Sequence, residues 1–267
     1  MPNKYIALAK GLRPKKSLGQ NFLVSEQIAE IEAAYASGRN VIEIGPGLGI
    51  LTRQLCKEGK KILAVEKDTR VYNALIEMES PRNLKVLNAD FFSLADEALG
   101  GFDIVVSNIP YQLSSKTLMW LSNHSMEAVL CLQKEFVEHM LAKPGTKKYS
   151  KLSVMMALTN KVTQIMRVSR SNFYPVPKVD SIIILVKPLG RSINPKISSI
   201  IGMLMEHKKK RLKNAIADSS KYLGVSKEAA ARISGRISNR EDRVFKLMPE
   251  QILETAGRIE RELKNMA

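Results

Sequence analysis

The sequence predicts an α/β fold, a doubly wound and mostly parallel sheet followed by a smaller all-helical domain. Three observations carry that expectation: short aliphatic runs recur after residue 40, helical patterns alternate with them, and only helical patterning remains beyond a Pro-Gly break near residue 188. Val41–Ile44, Ile62–Val65, Leu84–Leu87, Phe102–Val106 and Ala128–Leu132 are short and rich in β-branched or aliphatic residues, as strands covered on both faces are. Between them, 51–58 and 69–78 show the spacing of helices, so the elements alternate as parallel crossovers require.

Helices are expected again over 134–143 and 151–158, then strands over Val162–Val168 and Ser181–Val186 on either side of the Pro-rich stretch Phe173-Tyr174-Pro175-Val176-Pro177. Seven strands in this order suggest a Rossmann-like sheet of the class I methyltransferase type. Lys187-Pro188-Leu189-Gly190 ends the last strand and reads as a linker. The expected organisation is therefore a basic N-terminal arm over 1–24, an α/β domain over 25–188 and a helical domain over 189–267.

Composition narrows the partners. The 267 residues carry 42 Lys and Arg against 26 Asp and Glu, a formal charge of +16 that implies a polyanion such as RNA or DNA. Residues 189–267 hold 17 Lys and Arg against 9 acids, leaving +8 on that stretch. Within it, His207-Lys208-Lys209-Lys210-Arg211-Leu212-Lys213 is expected on one helix, placing Lys208, Lys209, Lys210 and Arg211 where they could track phosphates or form a solvated face. Cys56 and Cys131 stand far apart and outside any CxxC or Cys-His grouping, so neither a disulfide framework nor a metal site is expected, and a reducing, cytoplasmic setting fits. The apolar runs are too short to span a bilayer. No membrane partner is expected.

A ligand site can be read from successive strand ends. Glu43-Ile44-Gly45-Pro46-Gly47-Leu48-Gly49 follows the first strand, where Gly45 and Gly47 allow a tight turn and close approach of backbone to a nucleotide-like ligand. A dinucleotide-binding GxGxxG would place its last glycine one residue later, and Pro46 removes a backbone donor. Both departures suit S-adenosylmethionine, which has no phosphates. Glu66, 21 residues after Gly45, can take both ribose hydroxyls, although a nicotinamide dinucleotide would accept the same carboxylate. Asp90 ends the third strand and can reach an adenine amino group, or simply cap a helical turn. Asn108 ends the fourth.

Asn108-Ile109-Pro110-Tyr111 is the most informative stretch. The lone pair of adenine N6 is delocalised into the ring, so a methyltransferase acting there has to hold the nitrogen pyramidal. The Asn108 amide oxygen and the Ile109 carbonyl, the latter fixed by Pro110, can each accept one N6 hydrogen while Tyr111 stacks on the base. Alone, the same four residues could equally be a turn after a strand.

Lys16-Ser17-Leu18-Gly19-Gln20-Asn21-Phe22-Leu23, the 43–49 loop, Glu66, Asp90, Asn108–Tyr111 and Phe173-Tyr174-Pro175-Val176-Pro177-Lys178-Val179-Asp180-Ser181 together resemble the small-subunit rRNA adenine dimethyltransferases of the KsgA type, from about residue 10 to residue 245. That resemblance implies that Gln20, Asn21 and Leu23 line an S-adenosylmethionine pocket with Gly45, Glu66, Asp90 and Asn108. It implies that Phe173 helps to hold the target adenine opposite Tyr111. It further implies a monomeric enzyme that places two methyl groups on N6 of each of two adjacent adenosines near the 3′ end of small-subunit rRNA, within a pre-ribosomal particle. Rival readings are a resistance-type methylase of large-subunit rRNA, a DNA adenine methylase, and an assembly or transcription factor that keeps the pocket for binding alone.

Overall fold

The computed structural model describes residues 4–15, 18–77 and 81–266. Lys16 and Ser17 of the N-terminal motif, and Met78 at the end of one expected helix, lie outside the described residues. The chain divides into two compact units, one of residues 1–117, 126–137 and 162–187, the other of 118–125, 138–161 and 188–267.

The first unit begins with α1 (Lys4–Leu12), β1 (Phe22–Leu23) and α2 (Glu26–Ala33). The sheet then alternates with helices: β2 (Asn40–Ile44), α3 (Ile50–Glu58), β3 (Lys61–Glu66), α4 (Thr69–Ile76), β4 (Leu84–Asn88), α5 (Asp96–Leu99), β5 (Ile104–Ser107), α6 (Ser114–Asn123), β6 (Glu127–Gln133), α7 (Lys134–Met140) and α8 (Lys151–Thr159). After β7 (Asn160–Val168), β8 (Phe173–Tyr174) and β9 (Ser181–Pro188), five more helices follow: α9 (Pro195–Glu206), α10 (Leu212–Asp218), α11 (Ser220–Leu223), α12 (Lys227–Gly235) and α13 (Pro249–Lys264).

Seven strands lie in the order β4-β3-β2-β5-β6-β9-β7, so every expected strand is present and the sheet reverses direction of growth at β2. Its four pairings from β4 to β6 are parallel, and β9 returns antiparallel to β6 with Ala128 opposite Val186. Val41, Ile42, Ile62, Ala64, Ile104, Val105 and Val106 are all buried, which is why these strands read as continuous apolar runs. Ligand sites in such sheets form beyond the carboxyl ends of the strands, at the point where strand order reverses. Here that point lies between β2 and β5.

A second, two-stranded sheet was not expected. Phe22 pairs with Tyr174 and Leu23 with Phe173, so the N-terminal motif and the Pro-rich stretch meet as antiparallel strands. The Tyr174–Pro175 peptide bond is cis.

The second unit gathers its own core from α8 to α13, including Tyr149, Met155, Leu158, Ile201, Leu204, Ile216, Ile233, Ile252 and Ile259. The Tyr149 hydroxyl donates to the Leu247 carbonyl at 3.1 Å from within that core. One boundary falls at 187/188, within the stretch read as a linker, but the helical unit is discontinuous and takes 118–125 and 138–161 as well. The cause is α8, whose Val154, Met155 and Leu158 pack with the C-terminal helices, a partnership separated by too much chain for local patterning to reveal.

The basic run differs from expectation. A helix over 207–213 is replaced by a turn, because α9 stops at Glu206 and α10 starts at Leu212. Backbone groups that a helix would have used are taken by the segment 240–245. Phe245 N donates to Lys208 O at 2.9 Å, Val244 N to Lys210 O at 3.1 Å, Leu212 N to Asp242 O at 2.8 Å and Lys213 N to Arg240 O at 2.9 Å. The cations also have separate tasks. Lys208 Nζ donates to the carbonyls of Lys147 and Tyr149 at 2.9 and 2.6 Å, Lys210 pairs with Asp218 at 2.5 Å and Arg211 with Glu241 at 2.8 Å. Lys209 is exposed and is engaged in no ion pair among the described residues.

Candidate active site

The ends of the central strands are laced together. Gly45 N donates to Val65 O at 2.9 Å, Ala89 N to Glu66 O at 3.0 Å, and the buried Ser107 hydroxyl donates to Ile44 O at 2.6 Å. These bonds bring the four sequence motifs to one rim. Beyond that rim lies a cavity of about 320 Å³ lined by residues from every motif, among them Gln20, Asn21, Leu23, Gly45, Gly47, Glu66, Asp90, Asn108 and Pro110.

Glycine is required where the loop bends. Gly45 and Gly47 have φ of 69° and 56°, in the left-handed region that β-carbons disfavour. A Cβ on Gly47 would sit 2.8 Å from Cδ1 of Phe22, and one on Gly45 would meet the Pro110 ring at 3.2 Å. The loop after β2 therefore touches both the N-terminal arm and the Asn108–Tyr111 turn.

The acids around the cavity differ in condition. Glu66 is 8% exposed and its Oε1 accepts from Asp68 N at 2.8 Å. Burial holds its carboxyl above the usual range, against the pull of backbone amides from Asp68, Gly47 and Lys67. Asp68 caps α4 and is paired with Arg70 at 2.6 Å, and the Arg70 hydrogen bond holds its carboxyl down at about 2. Gln20 Nε2 donates to the same carboxylate at 3.1 Å, which fixes the N-terminal arm over the cavity. Asp90 is occupied on both oxygens: Oδ1 accepts from Phe92 N at 3.0 Å, capping the turn 91–93, and Oδ2 pairs with Lys67 at 2.9 Å. The capping reading of Asp90 is thus realised, while its side chain still lines the cavity.

Asn108 is the most unusual polar group. Its Nδ2 donates to Glu32 Oε2 at 2.8 Å, whereas its Oδ1 is buried from solvent and has no hydrogen-bond partner in the structure. Ile109 is 2% exposed, Pro110 lines the cavity, and Tyr111 is half-buried with its hydroxyl 3.3 Å from Ser181 Oγ. Phe173 is 3% exposed, packs in the core of the first unit and pairs with Leu23 of the arm.

The described residues include no group of three or more His, Cys, Asp or Glu side chains able to hold a metal ion, and no helix long and apolar enough to cross a membrane.

A family model for ribosomal RNA adenine dimethylases matches residues 11–261. The chain belongs to that family. Its membership makes it a class I methyltransferase of the rRNA adenine dimethylase type. The chain is 38% identical over 252 residues to a Thermococcus onnurineus protein named "Probable ribosomal RNA small subunit methyltransferase A", covering 91% of this chain and 92% of the relative. A Methanopyrus kandleri protein of the same name is 34% identical, with 97% of each chain covered. Among solved structures, a dimethyladenosine transferase from Plasmodium falciparum superposes with a TM-score of 0.74 at 27% identity, covering 90% of this chain and 98% of that one. The fold is also that of the 23S rRNA methyltransferase ErmE, with a TM-score of 0.59 at 23% identity over 90% of this chain and all of that one.

Sequence reasoning passed over Asp68, Gln112 and Glu32. Asp68 stood in a legible capping signature, Asp-Thr-Arg after a strand. Gln112 reaches the cavity one residue beyond the motif. Glu32 was visible only as an anomaly, an acid on the buried face that Ile28, Ala29 and Ala33 define in α2.

Proposed function

We propose that this dimethylase uses S-adenosylmethionine to dimethylate N6 of two adjacent adenosines near the 3′ end of small-subunit rRNA. The observation that carries the reading is the Asn108 amide, anchored through Nδ2 and buried with an unpartnered Oδ1. A buried carbonyl oxygen without a donor is costly to leave so, and an exocyclic amine supplies the donor it lacks. The names of the small-subunit relatives favour that subunit over the large one.

The donor set fits S-adenosylmethionine. The glycine loop leaves room only for backbone, Glu66 offers a buried carboxylate to ribose hydroxyls, and Asp90, which lines the cavity, would take the adenine amino group. Gln20, Asn21 and Leu23 close the pocket from the arm. When bound, the donor supplies a strongly activated sulfonium methyl. Everything else falls to this chain. Asn108 Oδ1 and the Ile109 carbonyl accept the two N6 hydrogens, directing the nitrogen lone pair away from the ring. Tyr111 stacks on the extruded adenine, a contact worth on the order of 1–3 kcal/mol per base. Phe173 acts indirectly, by holding Leu23 and the arm in place. Positioning at near-attack distance is the main contribution required, because the methyl is already activated. The basic helical unit contributes sequence-independent attraction to phosphates, with Lys209 exposed and Lys210 and Arg211 able to exchange their carboxylate partners for phosphate.

The deciding experiment measures labelled methyl transfer to undermethylated small subunits, naked rRNA, large-subunit rRNA and duplex DNA, with the product mapped. Two adjacent dimethyladenosines in the small subunit are expected. Label confined to large-subunit rRNA or DNA overturns the substrate assignment, and cofactor binding without transfer would make this a binding factor.

A further inference from the structure

Among the described residues of the first unit, Glu32 is the one carboxyl that both lacks a cation and touches the methyl-acceptor motif. It is 0% exposed, it lies on the sheet-facing side of α2, and its Oε1 has no hydrogen-bond partner. Its single hydrogen bond is the one it accepts from Asn108 Nδ2 at 2.8 Å. Glu43 on β2 and Cys131 on β6 both lie close enough for the Glu32 charge to act on them. Burial accordingly pushes the Glu32 carboxyl up to about 8. An apolar residue would cover this face of α2 at less cost, as Ile28 and Ala29 do.

An amide side chain has two orientations of equal shape and opposite polarity. Only one presents oxygen to a substrate amine, while the other presents a second donor, which opposes N6–H groups. What selects between them is the partner on the far side. A carboxylate can only accept, and a neutral carboxyl keeps an acceptor, so a carboxyl at that point favours the amide with Nδ2 toward α2 and Oδ1 turned away.

We propose that Glu32 is a positioning residue for methyl transfer, locking the Asn108 amide with its oxygen toward the acceptor amine. This rests on the reading of Asn108 given above, and goes beyond it by assigning a task to a residue outside the four motifs. The energetic cost of a buried, half-satisfied carboxyl is retained because the site needs an acceptor there.

The test compares Glu32→Leu and Glu32→Gln with the natural enzyme for kcat, for KM toward S-adenosylmethionine and RNA, and for thermal stability. Glu32→Leu removes the acceptor and should lower kcat by about ten- to a hundredfold with both KM values unchanged, the scale of loss that misplacing a reacting group brings. Its melting temperature should change little, since the relief of the buried carboxyl is set against the Asn108 Nδ2 donor left without its acceptor. Glu32→Gln keeps a carbonyl acceptor in one of its two orientations and should recover part of kcat, well above the Leu variant. A structural role alone would lower stability and activity together and leave Gln no better than Leu. Should Glu32→Leu fail to fold, Glu32→Met, unbranched and closer in length, serves the same comparison. A natural kcat in the Leu or Met variant, or equal losses in Leu and Gln, overturns the inference. Asn108→Ala run alongside separates the two claims: if it keeps full transfer the reading of Asn108 fails, whereas an inactive Asn108→Ala beside a fully active Glu32→Leu sinks the role of Glu32 alone.

Discussion

Gly47→Ala tests whether the cavity wall is built by close approach of backbone to the N-terminal arm. Two costs can be separated. The backbone at φ 56° is left-handed, a conformation that costs a residue with a β-carbon about 1–2 kcal/mol. The added Cβ would also stand 2.8 Å from Phe22 Cδ1 and 3.3 Å from Cε1, and Phe22 is 7% exposed and held by its pairing with Tyr174. Forcing such a ring aside adds about 1–3 kcal/mol, for a total of ~2–5 kcal/mol. At roughly 2–4 °C per kcal/mol in a chain of this size, the melting transition should fall by about 4–20 °C. Gly101→Ala is the control, because its φ is 80° and nothing lies within 4 Å of the added Cβ. Calorimetric unfolding and titration with S-adenosylmethionine would be measured for both variants. Gly101→Ala should lose only the backbone share and bind the cofactor normally, whereas Gly47→Ala should lose more and bind it at least about tenfold more weakly. Equal destabilisation of the two variants, with cofactor affinity intact in Gly47→Ala, would refute the close-approach argument.

Three further outcomes are expected. Burial pushes Glu32 and Glu43 up to about 8 from an ordinary 4.5, so the folded state holds their protons to higher pH than the unfolded state does. Their stability contribution is full below about 4.5 and is lost as pH rises through about 8, at up to roughly 1.4 kcal/mol per pH unit for each group, and denaturant unfolding of Glu32→Gln should show a shallower decline than the natural protein. Parallel slopes would contradict it. In the basic turn, Lys208→Met should cost about 1–3 kcal/mol by stranding the Lys147 and Tyr149 carbonyls, while Lys209→Ala should leave stability alone and reduce the salt slope of RNA binding by about one. The reverse pattern, with stability carried by Lys209, would show the division of labour to be wrong. Asp90→Ala should weaken S-adenosylmethionine binding by about tenfold and loosen the 91–93 turn by about 1 kcal/mol, whereas Asp90→Asn keeps most of the cap; equal cofactor affinity in Asp90→Ala would remove Asp90 from the donor site.

The sequence by itself determined the α/β class, the seven strands and the four strand-end motifs. Parallel strands buried on both faces must be apolar throughout, so Val41–Ile44 and Ile104–Val106 announce themselves locally. Ligand residues at the ends of such strands inherit that legibility, since Gly45, Glu66, Asp90 and Asn108 each follow a readable strand at once. Tertiary structure alone decided what depends on partners distant in the chain. Phe173 meets Leu23, on a strand 150 residues earlier, as its antiparallel partner. The run 207–213 became a turn because the segment 240–245 supplies donors and acceptors that a helix would have found within itself. Glu32 gained its importance in the same way, through a hydrogen bond to Asn108 spanning 76 positions. Periodicity reports which face of an element meets the core. Which polar group waits there is set by the packing of elements that no local pattern connects.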